Sequence, residues 1–259
     1  MTIVNFLEKA ILFLIPFIAV LAPILIGQRY GIYRRKRTPD RKDTQVGSVA
    51  GAALGLLGFM LAFTFQIAAN RFEARKEKLV EEVTNLRKTY LRSGLVPEPY
   101  RSNTKKLIVE YVDMAAGFGS DYSKLNHALS RSQQILDTLW RYAEALSEQD
   151  RSSEAYALYT SSVNDLVDAH NQRITFALEY RIPVAILWVL FIIEFLSMFV
   201  FGYQFGISGK GSYRLNLLLA TIFAVVMFLI FALDRPETGL TPLSQKPMQS
   251  LQQQLQEHK

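Results

Sequence analysis

A chain of 259 residues has room for one helical membrane bundle and a modest further domain, and an apolar fraction of 50% is ordinary for a globular protein. The absence of cysteine excludes disulfides, thiolate zinc sites, iron–sulfur clusters and cysteine nucleophiles together. The net charge of +6 comes with no stacking or groove-reading motif, which points to charges flanking membrane helices rather than to nucleic acid. The three histidines, His127, His170 and His258, stand nowhere at metal-ligand spacing, so no metal or other cofactor is expected.

The average composition hides a segregation, with apolar residues crowded into four runs. A bilayer core of about 30 Å needs roughly 20 apolar residues in a helix, because unpaired backbone groups are too costly in lipid. The first run, Ala10 to Ile26, contains Pro16 and Pro23, which predict bends. Lys9 is the only basic residue before it, no small-residue cleavage site follows, and Arg34, Arg35, Lys36 and Arg37 come soon after. It therefore reads as a retained span rather than a secretory signal.

The second span runs from Val46 to Ala69. Gly47, Gly51 and Gly55 recur every four residues, and Gly58 with Ala62 continues a ribbon that lets helix backbones approach closely. On the same helix Phe59, Phe63, Gln66 and Asn70 share one face. Two readings stay open for that face: packing between helices, or the lining of a pore formed where several subunits meet, the rings making an apolar constriction and the amides a wetter mouth.

No proline or glycine falls between Gly58 and Gly94, so the second span is expected to continue unbroken as a long stalk helix carrying Leu79, Val83, Leu86 and Tyr90 on one side. The segment GLVPEP, Gly94 to Pro99, ends it. Helical periodicity returns at Leu107, Ile108, Tyr111 and Val112, then at Leu129, Leu136, Trp140 and Ala143. It returns again at Tyr156, Tyr159, Val163, Leu166, His170 and Ile174. His170 on that last apolar stripe reads as a satisfied core residue, with a ligand or switch role as the alternative.

The third span, Ile182 to Phe201, has Pro183 at its start and carries Glu194 deep inside it. Such a charge has to be neutralised, paired or wet: either an ion or proton path, or a protonated carboxyl bonded to Gln66, Thr64 or Thr221. Gly202 to Ser212 reads as a glycine-rich turn, and the fourth span follows from Leu215 to Leu233. Asp234 and Arg235 at its end, before Pro236 and Gly239, read as a helix stop with an interfacial ion pair.

The fold class is therefore all-α: a four-helix transmembrane bundle with a helical soluble domain inserted between its second and third spans. The expected divisions are 1–70 for spans one and two, 71–181 for the stalk domain, 182–239 for spans three and four, and 240–259 for a polar tail. Phosphate-binding glycine loops, nucleophile elbows and acidic metal motifs are missing from the sequence, so no enzyme is expected. Basic residues do not orient the chain. Those in the Gln28 to Gln45 loop are balanced by Arg71, Arg75, Lys76, Lys78, Arg173, Arg181, Arg235 and Lys246 on the other side.

Several segments together resemble the bacterial bestrophin-like membrane-protein family. They are GFMLAFTFQIAANRFEAR from Gly58, LRSGLVPEPYR, VNDLVDAHNQR with Arg181, Ile182 and Pro183, and LDRPETGL with Gln245 and Pro247. The resemblance implies kinship with bestrophins, pentameric anion channels whose second membrane helix lines an aromatic neck and whose helical domain is cytosolic. Phe59 and Phe63 would be the similar positions. An inorganic ion would be the permeant, a homo-oligomer in the bacterial inner membrane the working form, and calcium gating is not implied, since the acidic calcium-binding cluster of animal bestrophins is missing. The competing expectations are a non-conducting scaffold or signalling protein, and a proton-coupled transporter using Glu194.

Overall fold

A computed structural model of the chain describes residues 3–37, 45–117, 125–209, 212–235 and 241–257. Arg41, Lys42, Pro236, Gly239 and His258 lie outside the described residues. Eight α-helices occur among the described residues, and no strand. They are α1 (Ile3–Arg37), α2 (Val46–Arg92), α3 (Tyr100–Ala116), α4 (Leu125–Gln149), α5 (Glu154–Leu178), α6 (Val184–Ser208), α7 (Tyr213–Asp234) and α8 (Lys246–Glu257). The chain divides into two compact units, Met1–Phe72 with Arg181–Thr241, and Glu73–Tyr180 with Pro242–Lys259.

The first unit holds α1, the beginning of α2, α6 and α7. Four helices are long and apolar enough to cross a membrane, as the four runs require. The α1 helix runs through both Pro16 and Pro23. Its core is a cluster of Val20, Ile24, Leu57, Leu61, Leu190, Met198, Met227 and Ile230. Large side chains such as Ile15, Trp188, Ile192, Phe195, Leu218 and Ile222 point outward, an arrangement suited to lipid and adverse in water.

The closest helix packing in this unit joins α1 to α6. Gly27 and Gly31 on α1 face Gly202 and Gly206 on α6. A Cβ at Gly202 would overlap the Ile24 carbonyl, and one at Gly31 would stand 2.5 Å from the Tyr203 carbonyl oxygen. Two glycine pairs spaced i, i+4 thus let the backbones touch. Gly202 and Gly206 belong to α6 rather than to a turn: the helix ends at Ser208, and Gly209 follows at φ +69°, the left-handed conformation that suits a glycine C-cap. Where α1 meets α7, the buried Asn216 amide donates to the Gln28 side-chain oxygen at 2.5 Å.

The second unit holds the rest of α2 with α3, α4, α5 and α8 around Leu79, Leu86, Ile108, Tyr111, Leu139, Leu146, Tyr159 and Leu166. A short 3-10 turn, Ser93–Leu95, ends α2 where GLVPEP begins. The α5 helix starts at Ser153, whose side chain accepts from the Tyr156 N–H. The α2 and α5 helices run antiparallel here. Arg75 donates to the Phe176 and Tyr180 carbonyls at the end of α5, Thr89 to the Ser162 carbonyl at 3.0 Å, and Arg92 to the Leu158 carbonyl at 2.9 Å. The C-terminal segment, expected as a polar tail, instead carries α8, and Met248, Leu251 and Leu255 at i, i+3 and i+7 are buried in this core.

Candidate functional site: the exposed face of the second helix

The α2 helix shows the first unit two different sides. Ala50, Leu57, Leu61, Thr64 and Ala68 are buried and form the stripe turned to the core. The other side holds nearly every residue the sequence singled out. Gly51, Gly55, Gly58, Phe59, Ala62, Phe63, Gln66 and Asn70 are all exposed, Phe59 at 67% and Phe63 at 51%. Nothing described lies within 4 Å of a Cβ built on Gly51, Gly55 or Gly58, whereas Gly47 sits beside the Gln204 amide. Among the described residues, then, the Gly51 to Gly58 part of the ribbon packs against no other helix of the chain. Below the rings, the Gln66 amide donates to the Asn70 side-chain oxygen at 2.7 Å, so the two amides act as one polar step on the helix surface.

Glu194 lies on the buried stripe of α6. It is 2% exposed, and its Oε1 has no hydrogen-bond partner among the described residues. Each partner expected from the sequence is engaged elsewhere: Thr64 donates to the Met60 carbonyl, Thr221 to the Leu217 carbonyl, and Gln66 to Asn70. Asp234, buried at the end of α7, accepts from the Ile182 N–H at 2.9 Å, and its carbonyl accepts from Arg181 at 3.1 Å. It therefore ties the end of α7 to the start of α6.

The second unit has its own buried polar cluster, on residues outside the four apolar spans. Glu82 on α2 is fully buried and pairs with Arg173 on α5. Tyr111 on α3 donates its hydroxyl proton to Glu82 at 2.6 Å. With its proton directed at Glu82, the Tyr111 hydroxyl can only accept from His170, 2.6 Å from its oxygen, which makes Nδ1 the protonated ring nitrogen of His170. His170 Nε2 is buried with no partner among the described residues. Burial pushes the Glu82 carboxyl up, but the Arg173 charge and the bonds from His170 and Tyr111 outweigh it and hold the carboxyl below the usual carboxylate range. Burial, with the Glu82 charge beside it, pushes the Tyr111 hydroxyl well above its ordinary range. No group of acidic and histidine side chains among the described residues is arranged to hold a metal ion.

The family model of the Bestrophin-like domain matches residues 17–248 of the chain. The chain belongs to the Bestrophin-like family. Among curated proteins, none matches it by sequence. Solved structures do. A crystal structure of a bacterial bestrophin homologue from Klebsiella pneumoniae, a single-residue variant, is 13% identical, with a TM-score of 0.66 over 93% of this chain and 97% of that one. Another variant of that homologue is 16% identical, with a TM-score of 0.60 over 94% and 97%. A crystal structure of a membrane protein, 13% identical, gives 0.65 over 94% and 96%. At such identities the likeness is one of fold, and this Bestrophin-like chain has that fold over nearly its whole length.

Three features of the Bestrophin-like chain escaped the sequence reading. The glycine pairs of α1 and α6 were signalled by GQRYG and GYQFG, which have the same four-residue spacing as the ribbon on α2. The α8 helix was signalled by Met248, Leu251 and Leu255. The Glu82 network carried no signal, because its partners on α5 lie 88 and 91 residues away in the chain.

Proposed function

We propose that this Bestrophin-like protein is an ion channel, a homo-oligomeric ring in which α2 from each subunit faces the axis. One observation carries the reading: the row Phe59, Phe63, Gln66, Asn70 stands exposed on α2, with the glycine ribbon beside it, and among the described residues no other helix covers it. Aromatic rings turned to lipid need no explanation, but an amide pair continuing the same row does. In a ring the phenyl groups form an apolar constriction that governs conduction by its wetting, and the amides form the polar mouth next to it. The small residues then let neighbouring copies of α2 approach each other. Anion selectivity, a five-membered ring, the bacterial inner membrane as location and a cytosolic second unit are supported by the resemblance to bestrophins alone.

Recording from purified protein in planar bilayers tests the channel. The wild type is expected to conduct, and Phe63→Ala to pass a severalfold larger unit current with weaker closure, since removing the ring widens and wets the constriction. A silent wild type, or an unchanged current in Phe63→Ala, would remove the reading. A protein that is monomeric or dimeric in mild detergent would instead favour a non-conducting scaffold.

A further inference from the structure

We propose that Glu194 is a proton-binding site of the first unit, occupied in the packed state described above, and that loss of its proton lets water in between α6 and α2. The carboxyl lies on the buried stripe of α6, between Leu190 and Met198, both of which belong to the apolar core. Ser197, one turn along the same stripe, donates to the Ala53 carbonyl of α2 at 3.0 Å, so this is the part of α6 that meets α2.

The surroundings offer an ionised carboxylate nothing. Its Oε1 has no donor among the described residues, and Thr64, Thr221 and Gln66, the partners the sequence offered, are bonded within their own helices. The other charged side chains described in this unit stand outside the middle of the apolar runs: Arg29, Arg34, Arg35, Lys36 and Arg37 on the last part of α1, Arg71 on α2 beyond the apolar run, Arg181 before α6, and Arg214, Asp234 and Arg235 at the two ends of α7. A protonated carboxyl fits such a place, and a bare anion fits only if water or a cation enters beside it. Entry there requires the seam beside Ser197 and Ala53 to loosen. Because the same helix carries Phe59 and Phe63 on its far side, the proton on Glu194 biases how α2 sits. This last consequence rests on the channel reading; the proton site itself does not.

Two measurements on the full-length protein in lipid vesicles test the proposal. Infrared difference spectra of wild type against Glu194→Gln are expected to contain a protonated-carboxyl C=O band that belongs to Glu194 and disappears as pH is raised within about pH 4 to 9, the range over which buried carboxyls titrate. Amide hydrogen exchange around Ala53 and Ser197 is expected to become severalfold faster in wild type than in Glu194→Gln once that band has gone, and to match it below. Comparing the two proteins at equal pH removes the intrinsic base dependence of exchange. Glu194→Met, apolar and of similar volume, serves as the second control and is expected to behave like Glu194→Gln. Absence of a Glu194-dependent band at every pH, or equal exchange in all three proteins after the band is lost, would overturn the proposal. Channel current is a separate readout: it should vary with pH in wild type and not in Glu194→Gln. A wild type silent at every pH contradicts the channel and leaves exchange to decide the proton site.

Discussion

Replacing Glu82 with Gln is expected to destabilise the second unit by about 3 kcal/mol, the scale of breaking a buried ion pair from one side. The substitution keeps the volume and one acceptor but removes the charge that Arg173 faces, and it weakens the acceptor for Tyr111 and His170. Hydrogen exchange of core amides in α3, α4 and α5, at neutral pH and in mild detergent, reads the loss directly. The pH dependence has a definite sign. The folded-state carboxyl of Glu82 titrates below its ordinary range, so the stability it contributes is fully present above that range and is lost as pH falls through the lowered value. Wild type should lose stability across that acidic window, while Glu82→Gln lacks this contribution at every pH. Equal stabilities at neutral pH would show the network to be inert.

A second large effect is expected at the α1–α6 crossing. Gly202→Leu drives a side chain into the Ile24 carbonyl, where backbone rather than a movable side chain stands in the way. The expected cost is at least about 3 kcal/mol, the upper end of what overpacking produces, seen as loss of a monodisperse peak on size-exclusion chromatography in detergent. Gly51→Ala is the contrast. It meets nothing among the described residues, so the folded chain should be retained, and any defect it causes should appear in subunit assembly. If Gly202→Leu behaves like wild type, close α1–α6 packing is not what holds this bundle.

What the sequence made legible follows from the range over which each signal acts. Long apolar runs announce spans without knowledge of their neighbours, and all four stand as helices. The periodicities through Tyr111, Leu136 and Leu166 mark the core faces of α3, α4 and α5 for the same reason. Pairwise facts were harder to read. Glycines spaced i, i+4 occur on three helices, and the spacing alone does not say which ribbon meets another helix of its own chain; Gly27, Gly31, Gly202 and Gly206 do, while Gly51 and Gly55 face outward. Glu194 was visible as a charge inside an apolar run, but its isolation depends on where Thr64, Gln66 and Thr221 spend their hydrogen bonds. The α8 helix was masked by its glutamines, which dilute three well-spaced apolar residues.

The cysteine-free chain allows the central claim, that the Phe59 to Asn70 face of α2 lines the conducting path, to be probed one residue at a time. Phe63→Cys and Gln66→Cys channels should be blocked by a charged thiol reagent added during recording, whereas Leu61→Cys, on the buried stripe of the same helix, should be indifferent. Block at Leu61→Cys with none at Phe63→Cys or Gln66→Cys would contradict the account and turn the aromatic face outward to lipid.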